Sequence, residues 1–156
     1  MYIVSNNAIA NQEAKGREKF TLQHPHNNWV ENTEKFGFWD FSGSTVGKGC
    51  TIPTDKYIEV KGREIKSTSY STSFLEVKKY NQLMALANQT TTGKAFYFVS
   101  YTDNVSILFD LKKIKNIEQY WDKRWMKEVT LEGQTKTVEK EIYDLPLSLA
   151  VKKYKS

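Results

Sequence analysis

The stretch Tyr57-Ile58-Glu59-Val60-Lys61 decides how the fold of this chain is interpreted. Its aromatic and β-branched residues favour a strand, and we predict one from Tyr57 to Lys61. Because side chains alternate along a strand, Glu59 and Lys61 share one face, while Ile58 and Val60 point the other way, into a core. A carboxylate can ligate a hard cation, and a neighbouring lysine can orient or deprotonate the water bound to that cation.

A second acidic group is needed, because one carboxylate makes a poor magnesium site. Asp40 supplies it, near the end of the aromatic run 36–41, which we predict as another strand. Neighbouring strands lie about 4.8 Å apart, so both carboxylates would reach one ion. Glu13, predicted on the apolar face of a first helix (6–20), is a third acid. Taken alone, Glu59 and Lys61 fit an ion pair on an exposed strand better than a site. The inward Glu13, the strand-end Asp40 and the helix that follows together favour the site.

The remaining pattern predicts alternating helices and strands around one sheet. A second helix is expected from Ser73 to Asn88, because Ser73 and Glu76 have the spacing of a capping box. A third helix, 117–126, brings Trp121 and Trp125 together, and the basic tail 152–156 is expected to fray. Further predictions are a strand at 29–32, a loop at 42–49, a hairpin formed by 94–101 and 105–111, and a terminal hairpin formed by 128–130 and 137–143.

These residues, in this order, resemble the PD-(D/E)xK nuclease superfamily, which includes restriction endonucleases and archaeal Holliday-junction resolvases. The resemblance covers about residues 6–111 and leaves 112–156 as a C-terminal extension with a helix and a hairpin. It implies one α/β or α+β domain spanning 1–156. The restriction-endonuclease-like core of such a domain is a mixed central sheet flanked by helices, in the order helix, three strands, helix, strand.

The resemblance also implies chemistry and site residues. Asp40, Glu59 and Lys61 match the two acids and the lysine of the motif, and Glu13 matches a helix glutamate that many members carry. Trp39 stands where the motif's name has proline. The implied activity is hydrolysis of DNA phosphodiesters with Mg²⁺, which Mn²⁺ is expected to replace. Glu13, Asp40 and Glu59 would hold the metal, and a homodimer is expected for a short nuclease that cuts two strands.

Composition is compatible with this function. The chain has 156 residues, of which 39% are hydrophobic, and its net charge is +5 with a pI of about 9.1. That balance favours polyanionic partners, and Arg63, Lys66, Lys78 and Gln82 are the predicted nucleic-acid contacts. The single cysteine, Cys50, excludes an internal disulfide. Without a signal-like start or about 18 consecutive apolar residues, we expect a cytoplasmic protein without membrane contact.

Several other patterns are set aside, and two alternative functions stay open. The glycine-rich run 43–49 has the wrong glycine spacing for a phosphate-binding loop, and His24 and His26 have no suitably spaced third ligand. The four tryptophans could stack on bases, but most tryptophans contribute to a core. The alternatives are a nuclease that acts on RNA and a non-catalytic nucleic-acid-binding or scaffold protein that keeps the fold.

Overall fold

The architecture is mixed α/β, with two sheets and two helices in the described part of the chain. This computed structural model describes residues 13–21, 30–31, 41–43, 55–127 and 136–155. Within these ranges, no helix is long and apolar enough to cross a membrane. The helices are α1 (13–21) and α2 (Val77–Ala87). The strands are β1 (Val30–Glu31), β2 (Phe41–Gly43), β3 (Lys56–Gly62), β4 (Thr72–Glu76), β5 (Lys94–Ser100), β6 (Val105–Asp110), β7 (Trp121–Lys127), β8 (Thr137–Pro146) and β9 (Lys152–Lys155).

The larger sheet has six strands in the order β1-β2-β3-β5-β6-β9. Strands β1, β2 and β3 run antiparallel to one another, and Phe41 of β2 pairs with Ile58 of β3. Strand β3 is parallel to β5, with Glu59 opposite Tyr97, and this crossover connection contains α2. A parallel pair needs such a long connection, since a tight turn can join only antiparallel strands. The predicted strand at 57–61 and the predicted hairpin of 94–101 with 105–111 are confirmed.

Both faces of the larger sheet are covered, and its central strands are therefore buried on both sides. Ile58 and Phe98 pack in one apolar cluster with Phe20 of α1. Their neighbours Tyr57 and Tyr97 belong to the other cluster, which contains buried residues of α2. Because successive strand residues face opposite sides, α1 and α2 cover opposite faces of the sheet.

The smaller sheet has three antiparallel strands in the order β4-β8-β7. Leu75 of β4 and Leu145 of β8 are buried in the same cluster as α2, so this sheet packs on the α2 side of the molecule. The C-terminal residues are thus part of the core. A terminal hairpin is confirmed, but β7 (Trp121–Lys127) is its first strand, and the predicted strand 128–130 lies outside the described residues.

The predicted start of the second helix at Ser73 is wrong. Thr72 to Glu76 form β4, and Ser73 pairs with Leu145 of β8. The helix begins at Val77, and Glu76 at its N-terminus makes no side-chain capping hydrogen bond. The spacing of a capping box is a local signal, whereas pairing with β8 satisfies the backbone of the whole segment and buries Leu75.

Three predictions for other segments are also wrong in the described residues. Residues 117–126 do not form an α-helix: Ile117–Tyr120 is a 3-10 turn, and β7 follows it. The tail does not fray, because Lys152–Lys155 pairs with β6, and the Tyr154 ring lies 6.2 Å from that of Phe98. The predicted loop 42–49 begins too early, since Ser42 and Gly43 belong to β2, while 44–49 lie outside the described residues.

Gly93 permits the turn between α2 and β5, and alanine there should destabilise the fold. A Cβ at this position would lie 1.5 Å from the carbonyl oxygen of Ala87, so the backbone must move to admit it. We expect Gly93→Ala to lower the free energy of unfolding by about 3 kcal/mol, the upper end of the usual overpacking cost. Urea denaturation measures this. Thr91→Ala, at an exposed position of the same turn, is the control; equal stability of the two variants would contradict the predicted contact.

Candidate functional site

Strand β3 presents Glu59 and Lys61 on the face of the sheet that α2 covers. Ile58 and Val60 lie in the cluster on the α1 face, as the alternation predicts. Only 13% of the Glu59 side chain is exposed, and Lys61 is half-buried. Two charged groups therefore sit side by side below the surface. A strand surface carrying ordinary solvated ion pairs would leave both exposed, so this observation weakens the surface ion-pair alternative.

Helix α2 adds a cation to Glu59. The Nζ atom of Lys79 lies 3.3 Å from Oε2 of Glu59, and 32% of the Lys79 side chain is exposed. Sequence reasoning missed Lys79. The signal was available: Lys79 precedes Leu83 by one helical turn, and Leu83 is fully buried against the sheet. A lysine on the buried side of a helix extends towards the sheet, where it requires an acidic partner.

The Lys61 ammonium group is held in conditions that disfavour its charge. Burial lowers the pKa of Lys61 from its ordinary value of 10.5, and the nearby Arg63 guanidinium lowers it further. Three carboxylates, those of Glu59, Glu13 and Glu76, act in the opposite direction without cancelling the shift. A lysine with a lowered pKa releases or accepts a proton closer to neutral pH than an exposed lysine does.

The lowered pKa of Lys61 has a consequence for stability. The unfolded chain binds more protons between the lowered pKa and 10.5, so this group makes stability rise as pH increases through that window. We expect Lys61→Met to be more stable than wild type at neutral pH. The difference should shrink as pH approaches 10.5. Thermal melts of both proteins at several pH values test this. Tyrosines titrate in the same pH range, but they affect both proteins alike, so their contribution cancels when the stability of wild type is subtracted from that of Lys61→Met. A constant difference would contradict the shift.

Glu13 lies on α1, on the other side of the sheet. Gly16 and Phe20, the buried residues of α1, confirm the predicted apolar face, which Glu13 shares at helical spacing. The Glu13 side chain itself is exposed, so the expectation that this position would not carry a solvated carboxylate is wrong. A Cβ on Gly16 would be 3.3 Å from both the Gly62 nitrogen and Val60 Cγ1, so α1 crosses β3 closely near the end of the strand. The carboxylate of Glu13 therefore lies close enough to influence the pKa of Lys61.

Glu76 and Lys140 extend the charged cluster into the smaller sheet. Oε1 of Glu76 lies 2.8 Å from Nζ of Lys140, and Glu76 is the residue immediately before α2. Sequence reasoning treated Glu76 only as a helix cap. From its position at the junction of β4 and α2, the Glu76 carboxylate raises the pKa of Lys61. Strand β8, which lies outside the residues that the resemblance covers, thus contributes Lys140 to the surroundings of the candidate site.

The four predicted nucleic-acid contacts occupy different environments. The Arg63 guanidinium lies over the Phe74 ring, 4.2 Å from its centroid, and donates hydrogen bonds to the Phe74 carbonyl oxygen and the Tyr97 hydroxyl. It therefore joins β3 to β4 and β5. Lys66 and Lys78 are exposed, and Gln82 is half-buried. Exposure leaves the two lysines accessible to phosphates, whereas Arg63 is already engaged within the protein.

Asp40, the acid predicted to share a metal with Glu59, lies outside the described residues. Among the side chains that the structure describes, no three histidine, cysteine, aspartate or glutamate residues form a group that could hold a metal. His24, His26, Trp29, Trp39 and Cys50 also lie outside the described ranges. The described part of the site thus consists of Glu59 and Lys61 on β3, with the charged groups around them.

Comparison with known proteins assigns no family: the chain matches no protein-family model, no curated protein and no solved structure.

Proposed function

We propose that this protein is a metal-dependent nuclease that hydrolyses DNA phosphodiester bonds, of the PD-(D/E)xK kind. The observation that carries the proposal is the half-buried pair Glu59 and Lys61 on one strand, with the lysine pKa lowered by burial. Perturbed titratable groups of this kind cluster at functional sites. The element order also supports it: helix α1, antiparallel β1, β2 and β3, then helix α2 and a strand parallel to β3, with β4 as an additional strand before α2.

The proposed metal ligands are Asp40 and Glu59, whereas Glu13, on the α1 side of the sheet, acts on the site through its charge near Lys61. Phe41 pairs with Ile58 in the antiparallel ladder, and the residues that precede Phe41 and follow Ile58 in the sequence are Asp40 and Glu59. Carboxylate oxygens are the ligands that Mg²⁺ prefers. The chemistry next to Glu59 suits a cation, since the Lys79 ammonium group already lies 3.3 Å from its carboxylate. Residues present here therefore fit a divalent cation.

A bound Mg²⁺ would polarise the scissile phosphate and lower the pKa of a water molecule. The chain's own residues would supply the other requirements. Lys61, two residues after Glu59 on the same face, orients the attacking water and accepts its proton when deprotonated, and its lowered pKa favours that role. Lys79, released from Glu59 when a metal binds, would lie beside the phosphate and offset charge that develops there.

The direct test is cleavage of supercoiled plasmid with Mg²⁺ or Mn²⁺, with EDTA as the metal control. Single-stranded DNA, branched DNA and RNA of the same sequence are assayed in parallel, because nothing in the described site distinguishes ribose from deoxyribose. Cleavage of RNA alone would assign the protein to the alternative class of ribonucleases. A protein that binds nucleic acid but leaves every substrate intact with both metals would be a non-catalytic binding protein instead.

Binding of duplex DNA should weaken steeply as salt increases, because a chain of net charge +5 would contact phosphates mainly through lysine and arginine. Each phosphate contact contributes a slope of about −0.9 in a plot of log affinity against log salt. Lys66→Ala and Lys78→Ala, at exposed positions, should each make that slope shallower by about 0.9, the share of one phosphate contact. Fluorescence anisotropy with a labelled duplex in EDTA measures it. Affinity that is independent of salt would contradict phosphate binding.

A further inference from the structure

The outer edge of the smaller sheet exposes two tryptophans. Trp125 is 70% exposed and Trp121 is 43% exposed, whereas large aromatic residues are normally mostly covered. Both belong to β7, the edge strand of the order β4-β8-β7. They are four residues apart, so the strand places them on the same face, about 13 Å apart along its axis at the usual rise per residue. Such a pair of flat apolar surfaces, exposed on the last strand of the described sheet, is typical of an interaction site.

Lysines alternate with these tryptophans. Lys123 and Lys127 share the face of Trp121 and Trp125, because they occupy the intervening odd positions of β7. The Lys123 ammonium group lies 5.6 Å from the centroid of a Trp121 ring. Lys127 is exposed. Aromatic faces separated by cations along one strand provide both stacking surfaces for bases and charge for the phosphates between them.

The acids on this face lie one strand further in. Glu141 pairs opposite Lys123, and Glu139 pairs opposite Trp125, both on β8. Lys123 forms an ion pair with Glu139 at 3.7 Å, but both side chains are about half exposed, at 49% and 46%, so the pair is solvated and weak. On this face β7 itself carries Lys123 and Lys127 and no acid, whereas Arg124 and Asp122 occupy the other face, where Arg124 is paired with Asp144 at 2.7 Å. The edge that a ligand approaches is therefore cationic, which suits a polyanion.

We propose that the β7 edge, defined by Trp121, Lys123, Trp125 and Lys127, binds unpaired nucleotides by stacking bases on the two indole rings. In a duplex, bases are stacked on each other and their faces are hidden, so this edge would select single strands, ends or loops. The proposal deepens the nuclease function and rests on it for the identity of the ligand as nucleic acid. It also gives the C-terminal extension a role: this extension holds an unpaired segment while the site on β3 acts on the adjoining chain.

The test measures binding in EDTA, where no cleavage interferes, using anisotropy of labelled oligo(dT), oligo(U) and a blunt duplex. Trp125→Ala should weaken oligo(dT) binding about 5- to 150-fold, the range that corresponds to the ~1–3 kcal/mol contributed per stacked base. Trp125→Phe should retain part of the affinity because it keeps an aromatic face. Tyr70→Ala is the matched control, since Tyr70 is 66% exposed but lies outside the hairpin. Lys127→Ala should lower the salt dependence by about one phosphate contact.

The outcomes separate this proposal from the proposed function. Loss of oligonucleotide binding in Trp125→Ala, with duplex binding unchanged, supports the β7 edge as a base-stacking surface; oligo(dT) and oligo(U) together show whether the sugar matters. Equal weakening for duplex, or no change in Trp125→Ala, overturns it. A third result would also overturn it: light scattering shows a wild-type dimer, and Trp125→Ala dissociates this dimer without affecting oligonucleotide binding. That result would assign the β7 edge to contact with a second copy of the chain. Plasmid cleavage that persists in Trp125→Ala leaves the nuclease proposal standing whatever the binding result.

Discussion

Replacing Lys61 by alanine is expected to lower the rate of plasmid cleavage in Mg²⁺ by about 10²–10⁴-fold, the contribution typical of a positioned proton-transfer group. The reason lies in β3: Lys61 follows Glu59 on the same face, and burial with a neighbouring guanidinium lowers its pKa. Without this amine, the attacking water would lose its orienting partner and the group that, when deprotonated, accepts its proton. Single-turnover assays of the variant and the wild type measure the loss.

The Lys61 substitution should affect cleavage and leave the fold intact. Lys61 is half-buried, and the apolar contacts of β3 on the α1 face are made by Ile58 and Val60. Thermal unfolding should therefore show no loss of stability, and DNA binding should decrease only slightly, since one phosphate contact among several is removed. Lys152→Ala, at an exposed position on β9, is the matched control for loss of one positive charge. A Lys61→Ala protein that cleaves as fast as wild type would show that the site has been assigned to the wrong residues.

Replacing Phe20 by alanine is expected to lower the free energy of unfolding by about 3–5 kcal/mol, the usual cost of removing a buried phenyl ring. Phe20 is fully buried, and its ring packs edge-to-face on that of Phe98, with centroids 5.3 Å apart. It is the anchor of α1 on the sheet. The cavity would remain largely unfilled, because Ile58 and Phe98 belong to central strands whose positions are set by their ladders.

Urea denaturation of Phe20→Ala measures this loss directly. Two control variants show whether the loss comes from the buried phenyl ring. Phe20→Leu keeps most of the apolar volume and should cost far less. Glu18→Ala changes an exposed residue of the same helix and should leave stability within about 0.5 kcal/mol of wild type. If Phe20→Ala were as stable as Glu18→Ala, α1 would not be packed on the sheet as described, and the influence of Glu13 on Lys61 would lose its structural basis.

The local sequence was sufficient where residue type and spacing agreed with the tertiary environment. β3 and the hairpin of β5 with β6 were predictable because runs of aromatic and β-branched residues fit strands whatever their partners. The shared face of Glu59 and Lys61 follows from the alternation of a strand alone. Lys79 was predictable in the same way, because it precedes the apolar residue Leu83 by one helical turn in α2.

Pairing between distant segments decided the rest. Ser73 and Glu76 satisfy a local rule for starting a helix. They form strand β4 instead, because this segment pairs with β8, which is far along the chain. Trp121 and Trp125 likewise belong to a strand, β7, because it pairs with β8. The C-terminal tail forms β9 because it pairs with β6. A ladder of hydrogen bonds with buried side chains outweighs a helix cap, which contributes about 1 kcal/mol.

The sequence by itself determined the chemistry available on β3, because side-chain identity and strand alternation are local properties. Only the tertiary structure decided the surroundings of that chemistry. These are the burial that lowers the pKa of Lys61, the Lys79 ammonium group beside Glu59, and Lys140, the cation that pairs with Glu76. The physical reason is that desolvation and ion pairing depend on which segments come together, and these are brought together by contacts between residues distant in sequence.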